Sequence, residues 1–390
     1  MIIYRVWFHP LSRIPGPKYM AVSDIFSQWR AWVSMDMLNY APVLHRIYGP
    51  IVRIGPNRLA IEGSVCWPEV YGARSTSDED EFSKIPGFAF PNDHLALLGA
   101  NREDHRRQRR QLGHAFSAAA LQEQAGIIVQ YIDKFVGQLT ACAKQDQPVD
   151  IVSLLNYMTF DIIGDLTFAD SFHGLDGDTT FVNNLFRGLK GGSYRRFLLQ
   201  FPLLKPFLTL YVGLEDLHKA NVLNKENFLL GRLKGQARMA MGAEPKDGRR
   251  DFATYMLRKG KNETAVLSDE EVQTLSSALV VAGSETTATA LSGFTFLVGT
   301  HPEKKRILAD EIRTAFTEES EITIASSAKL PYLHAVIEES LRLYPPAVAL
   351  PPRVSPGAQV NSQWIPRGVS TSFCTFRRQN RALTNSMPLL

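Results

Sequence analysis

The 390-residue chain is 45% apolar and 21% charged, with 27 glycines and 22 prolines. That composition is globular and excludes a disordered, collagen-like or disulfide-scaffold protein. The formal charge of +4 is small for this length and gives no basis for nucleic-acid binding.

Cys66, Cys142 and Cys374 lie far apart, in no zinc-ligand or C-x-x-C spacing. The chain therefore reads as reduced, soluble-facing and intracellular, with Cys66 and Cys142 as core cysteines. Residues 1–8 are apolar but broken by Arg5, far short of the ~20 residues a spanning helix needs. They also lack the pattern of a signal peptide. Pro15-Gly16-Pro17 predicts a stiff turn, and residues 49–62 predict a hairpin around Gly55-Pro56-Asn57.

Most of 101–345 reads as helix. Residues 121–144 are amphipathic, with Ile127, Ile128, Tyr131, Ile132, Phe135, Val136 and Leu139 at helical spacing. Residues 151–168 and 214–233 read the same way. The apolar stretch 197–212, interrupted by Pro202, Lys205 and Pro206, is a poor spanning helix. It suits either a surface-dipping segment or a buried packing segment.

Ser268-Asp-Glu-Glu271 is a capping box that opens a helix running to Leu297. Its second half is apolar on nearly every face, which predicts burial on all sides. Two more helices are expected, over 302–316 and from Pro331 to Tyr344-Pro345-Pro346. Beyond Pro346 the texture turns to short strands, with 363–368 as a turn between them. Residues 374–390 carry Arg377, Arg378 and Arg381, no acid and no period.

Three constellations can carry chemistry. Ala282-Gly-Ser-Glu-Thr-Thr287 places an ionisable Glu285 inside the long helix, costly unless hydrogen-bonded. The neighbouring Gly283 and hydroxyls can bend the helix and leave a carbonyl free. That suits proton delivery, and equally a close helix crossing built on small residues. Glu339-Ser-Leu-Arg342 places two opposite charges on one helix face, where a solvated pair contributes only ~0–1 kcal/mol. His105-Arg-Arg-Gln-Arg-Arg110 puts His105 and Arg109 four residues apart, able to grip a carboxylate or to form a solvated basic face. No H-E-x-x-H, G-x-S-x-G, P-loop or G-x-G-x-x-G signature accompanies them. Asn262-Glu-Thr264 is an acceptor sequon read as unused.

In this order the pieces resemble a cytochrome P450, a haem-thiolate monooxygenase of the fungal microsomal type. Tyr4-Arg-Val-Trp-Phe-His-Pro-Leu-Ser12 with Pro15-Gly-Pro17 resembles the segment after the family's membrane anchor. Ala282–Thr287 is similar to its oxygen-activation motif, and Glu339–Arg342, followed by Leu343-Tyr-Pro-Pro346, to its E-x-x-R helix. The resemblance runs from about residue 4 to about 373.

The resemblance implies a mainly α fold with a long central helix, a helical bundle and a small β region. It implies haem (haem b, iron) as cofactor and hydroxylation of an apolar small molecule with O2, as in fungal secondary metabolism. Electrons would come from an NADPH-dependent reductase. Glu285 and Thr286 would relay protons, and Ser284 and Thr287 would shape a kink beside Gly283. His105, Arg109 and Arg353 would bind the haem propionates, and Glu339 and Arg342 would be structural. The segments expected to line an apolar pocket lie around 88–90 and 181–207. No nucleic acid is expected. The surface of the endoplasmic reticulum, through peripheral contact, is the implied location, and otherwise the cytoplasm, since these residues contain no anchor helix.

The family's ligand loop, F-x-x-G-x-R-x-C-x-G, does not occur in these 390 residues, nor does the preceding P-x-R-F. Cys374 stands in the wrong context, so no metal ligand is assigned. The expected organisation is a post-anchor segment and hinge (1–20), an incomplete P450 domain (21–373) and a divergent basic tail (374–390). Two expectations follow. One is an oxygenase. The other is an inert, truncated or mis-spliced remnant, poorly soluble because its long helix is partly uncovered. An ordinary helical binding protein would require Glu285, Thr286, Glu339 and Arg342 to coincide by chance.

Overall fold

A computed structural model describes residues 1–72, 81–85, 88, 93–245, 248–259, 266–347 and 350–371. A helical turn at Tyr4–Phe8 leads into α1 (Lys18–Val22), α2 (Ile25–Trp32) and α3 (Met37–Tyr48). The expected hairpin follows as β1 (Ile51–Gly55) and β2 (Arg58–Ile61), with Ile51 opposite Ile61. Both strands are almost wholly buried, because α1 and α3 cover one face and Leu11, Val70 and Phe82 pack on the other.

After α4 (Gly63–Cys66) and β3 (Ser83–Lys84), the chain is helical: α5 (Arg102–Gly113), α6 (Ala118–Lys144), α7 (Ile151–Phe168), α8 (Thr180–Gln200), α9 (Lys205–Val212) and α10 (Leu214–Ala240). Then come α11 (Phe252–Met256), α12 (Asp269–Thr300), α13 (Pro302–Ala315), α14 (Ile324–Ser327) and α15 (Pro331–Leu343). Four short strands close the described chain: β4 (Arg353–Val354), β5 (Ala358–Val360), β6 (Gln363–Ile365) and β7 (Ser370–Thr371). The main sheet has the order β1-β2-β7-β4-β3, and β5 pairs with β6 alone.

Helices α7 and α12 form the centre. Phe160, Ile163, Leu166 and Phe168 share one core with Val272, Leu275 and Val280. Among the described residues α7 alone is long and apolar enough to cross a membrane, but 61% of it is buried inside the fold. It is a core helix. The mainly α architecture with small sheets is the one the sequence predicted.

Several local expectations are corrected. Residues 363–365 are strand rather than turn. The turn before them is Asn361-Ser362, with φ of 47° and 62°, the signs of a type I′ hairpin. The apolar face of α6 is narrower than its period suggests: Tyr131 is buried, whereas Ile132 and Val136 are exposed. Its main helix neighbour is α7, and one neighbour covers one stripe. Helix α10 continues past 233 to Ala240, held by Arg238, which is buried against Asp251 through two 2.8 Å bonds.

The long helix is not enclosed on all sides. Its second half buries Ser284, Ala288 and Gly293 but leaves Phe296 68% exposed. In 197–212, Phe197 and Leu208 are buried as packing residues, while Leu203, Phe207 and Leu210 are exposed. Cys66 is enclosed in the core as expected but is disulfide-bonded rather than reduced, and Cys142 is a half-buried free thiol on α6. Cys374, the 374–390 tail and the sequon at 262 lie outside the described residues.

Candidate functional site

The motif at the middle of α12 divides into two faces. A Cβ on Gly283 would lie 2.7 Å from Ile163 Cδ1, so this glycine permits the close approach of α12 to α7. Ser284 is buried beside it and donates to the Val280 carbonyl at 2.5 Å. That half is helix packing.

Glu285 stands on the adjoining face, half-buried, and burial raises its carboxyl above the ordinary range. Thr289 Oγ1 donates to Glu285 Oε1 at 3.4 Å. Thr286 and Thr287 are exposed, and Thr286 Oγ1 donates to the Ala282 carbonyl at 2.5 Å. The helix assignment is unbroken through the motif. Instead of a break, the hydroxyls bond back to carbonyls one turn earlier. Glu285 thus pairs with Thr289, which the sequence reading missed although its i,i+4 spacing was visible.

A second site gathers around α5, β3 and β4. Asn101 caps α5, accepting from the Asp104 N–H at 2.9 Å. From this helix His105 projects half-buried, its pKa lowered to about 4 by burial and then by the fields of Lys84, Arg109 and Arg353. Lys84 and Arg353 are direct cross-strand partners in the β3–β4 pair. Burial and then Arg353 lower the Lys84 ammonium to about 8, and its Nζ donates to the Leu97 carbonyl at 2.5 Å.

Arg353 Nε is buried with no hydrogen-bond partner among the described residues, while the guanidinium carbon lies 5.1 Å from the Tyr71 ring. The structure therefore brings His105, Arg109 and Arg353 into one electrostatic neighbourhood and adds Lys84. No helical period or motif marked that lysine. Its only local signal is a cation set between Phe82 and Ile85.

Like charges directly opposite on a sheet destabilise it, and a buried donor without an acceptor costs ~1–3 kcal/mol. Both features fit an anionic ligand.

Glu339 and Arg342 form the predicted pair, with two 2.6 Å bonds from Nε and Nη2. The α15 helix that carries them packs on α12, and Gly293 makes room for the Tyr344 ring. Helix α5 is joined to the start of α12 by Arg107 and Gln108, which both bond Glu271. Arg107 had read as one of a solvated run. Besides Asp104 one turn away, it bonds Glu271, 164 residues on and invisible to local spacing.

Of the expected pocket segments, Phe181 stacks on Phe172 at 4.0 Å against the core. Phe88 instead meets Trp32 at 5.7 Å, with the Arg196 guanidinium 4.5 Å from its ring. Ala89 and Phe90 lie outside the described residues.

The family model described as "Cytochrome P450" matches residues 23–379. The cytochrome P450 monooxygenase astJ of Aspergillus oryzae is 36% identical over 96% of this chain and 75% of its own length. The cytochrome P450 monooxygenase aba2 of Botryotinia fuckeliana is 34% identical over 99% of this chain and 74% of its own. Similar in extent is lcsI of Purpureocillium lilacinum, also named a cytochrome P450 monooxygenase, at 34% identity. A mainly helical fold with a long central helix agrees with these matches, and the chain belongs to the cytochrome P450 family.

Proposed function

We propose that this chain is the oxygenase part of a haem-dependent monooxygenase that hydroxylates an apolar small molecule, in fungal secondary metabolism. The single observation that carries the reading is the basic site at β3–β4 and α5, where the buried Arg353 Nε has no hydrogen-bond partner among the described residues. Haem, when bound, supplies the redox-active iron at which dioxygen is reduced with electrons from an NADPH-dependent reductase.

The protein's own residues do the rest. His105, Arg109 and Arg353 hold the carboxylates and so fix the orientation of the ring. Glu285, its carboxyl raised by burial, keeps a proton at higher pH than a solvated glutamate does. Thr289 holds one oxygen of that carboxylate, and Thr286 presents a hydroxyl on the exposed face one residue on. Glu339 and Arg342 pair along α15, the helix that packs on α12. In this reading 1–20 lead into a domain spanning 21–373, with 374–390 as a separate tail.

The location proposed is the endoplasmic reticulum surface. Leu203, Phe207 and Leu210 on the α8–α9 connection are exposed, as are Trp7 and Phe8. Trp29 of α2 links the two regions: its ring lies 5.2 Å from Tyr211, and α2 follows α1, on which the Tyr4–Phe8 turn packs.

The test is a carbon-monoxide difference spectrum of the reduced chain, expressed with haem supply. The long-wavelength Soret band of a thiolate ligand would support the oxygenase reading by showing that one of the chain's cysteines reaches the iron. Absence of the band, with only free haem or histidine ligation seen, would favour the inert remnant.

A further inference from the structure

Aromatic side chains near the start of the chain stand open to solvent around one cleft. Phe26, Trp29 and Arg30 recur at i, i+3 and i+4 on α2 and so share a face of it, while Ser27 and Gln28 fill its buried side. Tyr19 of α1 meets Phe26 with ring centres 5.1 Å apart and planes at 86°. The two rings make a corner, and the fold does not close over it: Tyr19 is 44% exposed and Phe26 45%. Trp29, half-buried, lines the same cleft, whose volume of about 500 Å3 is of the size that holds small ligands.

The polar part of the cleft is a single ion pair. Arg30 stacks on the Tyr40 ring at 4.0 Å and bonds Asp36 through Nη1. Its Nε and Nη2 bond none of the described residues. Asp36 also accepts from Ser34 Oγ at 2.7 Å. One cation beside one anion leaves these lining groups without net charge. A zwitterion, which offers an opposite charge to each, is therefore matched better than a plain anion or a plain cation.

The neighbours of Trp29 indicate the source of such a group. Its ring lies 5.5 Å from Phe197 and 5.2 Å from Tyr211. Tyr211 is exposed on α9 together with Phe207 and Leu210. The cleft thus adjoins the apolar side chains assigned above to the membrane surface.

We propose that this cleft is a headgroup site for a choline phospholipid of the bilayer: the rings of Tyr19, Phe26 and Trp29 take the quaternary ammonium, and the free edge of the Arg30 guanidinium takes the phosphate. The inference rests on the membrane location read above and goes beyond it by naming the lipid. A trimethylated ammonium cannot donate a hydrogen bond and is weakly hydrated, so ring faces attract it at little cost in lost water. An ethanolamine head keeps its N–H donors in water and gains less from the same rings. Arg30 serves both heads equally, because the phosphate is common to them.

The experiment uses the full chain and two soluble probes below their micelle-forming concentrations, dihexanoylphosphatidylcholine and dihexanoylphosphatidylethanolamine. Affinity is read by titration calorimetry, and flotation with phosphatidylcholine vesicles is read in parallel. The choline lipid is expected to bind about fivefold more tightly. Phe26→Leu, which keeps the apolar bulk and removes the ring, should reduce that preference to twofold or less, and Phe26→Tyr should retain it. Arg30→Gln should weaken both lipids alike, by about tenfold, and leave the preference in place.

Equal affinity for the two headgroups, a preference unchanged by Phe26→Leu, or no binding of either lipid would overturn the proposal, while flotation would still uphold the membrane location. Failure of the wild type to float with the vesicles would remove the membrane location itself, and the bilayer lipid as occupant with it.

Discussion

Arg107 and Glu271 meet side by side where α5 reaches the start of α12: Nη1 lies 3.0 Å from Oε2 and Nη2 lies 2.5 Å from Oε1. Gln108 Nε2 adds a third bond, at 2.9 Å, and the Ser268 N–H a fourth, at 2.8 Å. One carboxylate therefore closes the capping box of α12 and holds α5 against it. The helix that presents His105 and the helix that presents Glu285 share this joint.

Burial alone would raise the Glu271 carboxyl, but bonds from Arg107, Gln108 and the Ser268 N–H outweigh it and lower the pKa to about 2. A depressed carboxylate contributes stability that is complete above its unfolded value, about 4.5, and is lost as pH falls toward 2. Glu271→Gln should lower stability at pH 7 by roughly 2 kcal/mol. It should also flatten the loss of stability between pH 5 and 2. Urea unfolding at several pH values checks both, and an equally steep acid slope in the variant would refute the assignment.

Gly283→Val should cost about 1–3 kcal/mol, because its first side-chain carbon would sit 2.7 Å from Ile163 Cδ1. Ile163→Ala in the same chain should recover part of that loss, although alone it costs a buried side chain. A double-mutant cycle in thermal unfolding measures the coupling. Additive effects would mean that the two residues do not collide.

Asp251 accepts from Arg238 Nε and Nη2 and also from Arg249 Nε, each at 2.8 Å, and both Asp251 and Arg238 are enclosed. Asp251→Asn leaves a buried guanidinium without its counter-charge, a loss of about 3–5 kcal/mol. The chain is expected to unfold at markedly lower temperature by circular dichroism. A change within the scatter of surface variants would contradict this.

Glu285 has the opposite sign to Glu271. Burial penalises its ionised form, so the residue costs stability increasingly as pH rises above about 4.5 through its raised folded value. Glu285→Gln should therefore raise the melting temperature more at pH 8 than at pH 5. In the haem-loaded protein, Thr286→Ala should increase hydrogen peroxide released per product by several-fold, through loss of a proton donor. Unchanged coupling would take Thr286 out of the relay.

Leu203 and Phe207 are 89% and 66% exposed. Replacing both with Asp should leave the fold intact and reduce partitioning onto phospholipid vesicles, read by flotation, by about a hundredfold or more, since each apolar side chain inserted contributes ~1.5–3 kcal/mol. Undiminished flotation would place the membrane contact elsewhere on the surface.

What the sequence determined by itself is local. The start of α12 at its capping box, the bounds of α7, the β1–β2 hairpin and the Glu339–Arg342 pair follow from contacts three to five residues apart, or from turn chemistry. Of the candidate site, His105, Arg109, Arg353, Glu285 and Thr286 were singled out only through the family resemblance. Tertiary structure decided the rest. It set Lys84 across from Arg353, turned Arg107 from a solvated face toward Glu271, and packed Phe181 against the core. Hydrogen bonds and helical period act over a few residues of chain, so sequence records them directly. Charge proximity and burial act through space, and only the assembled sheet and helix pair bring those groups within reach of one another.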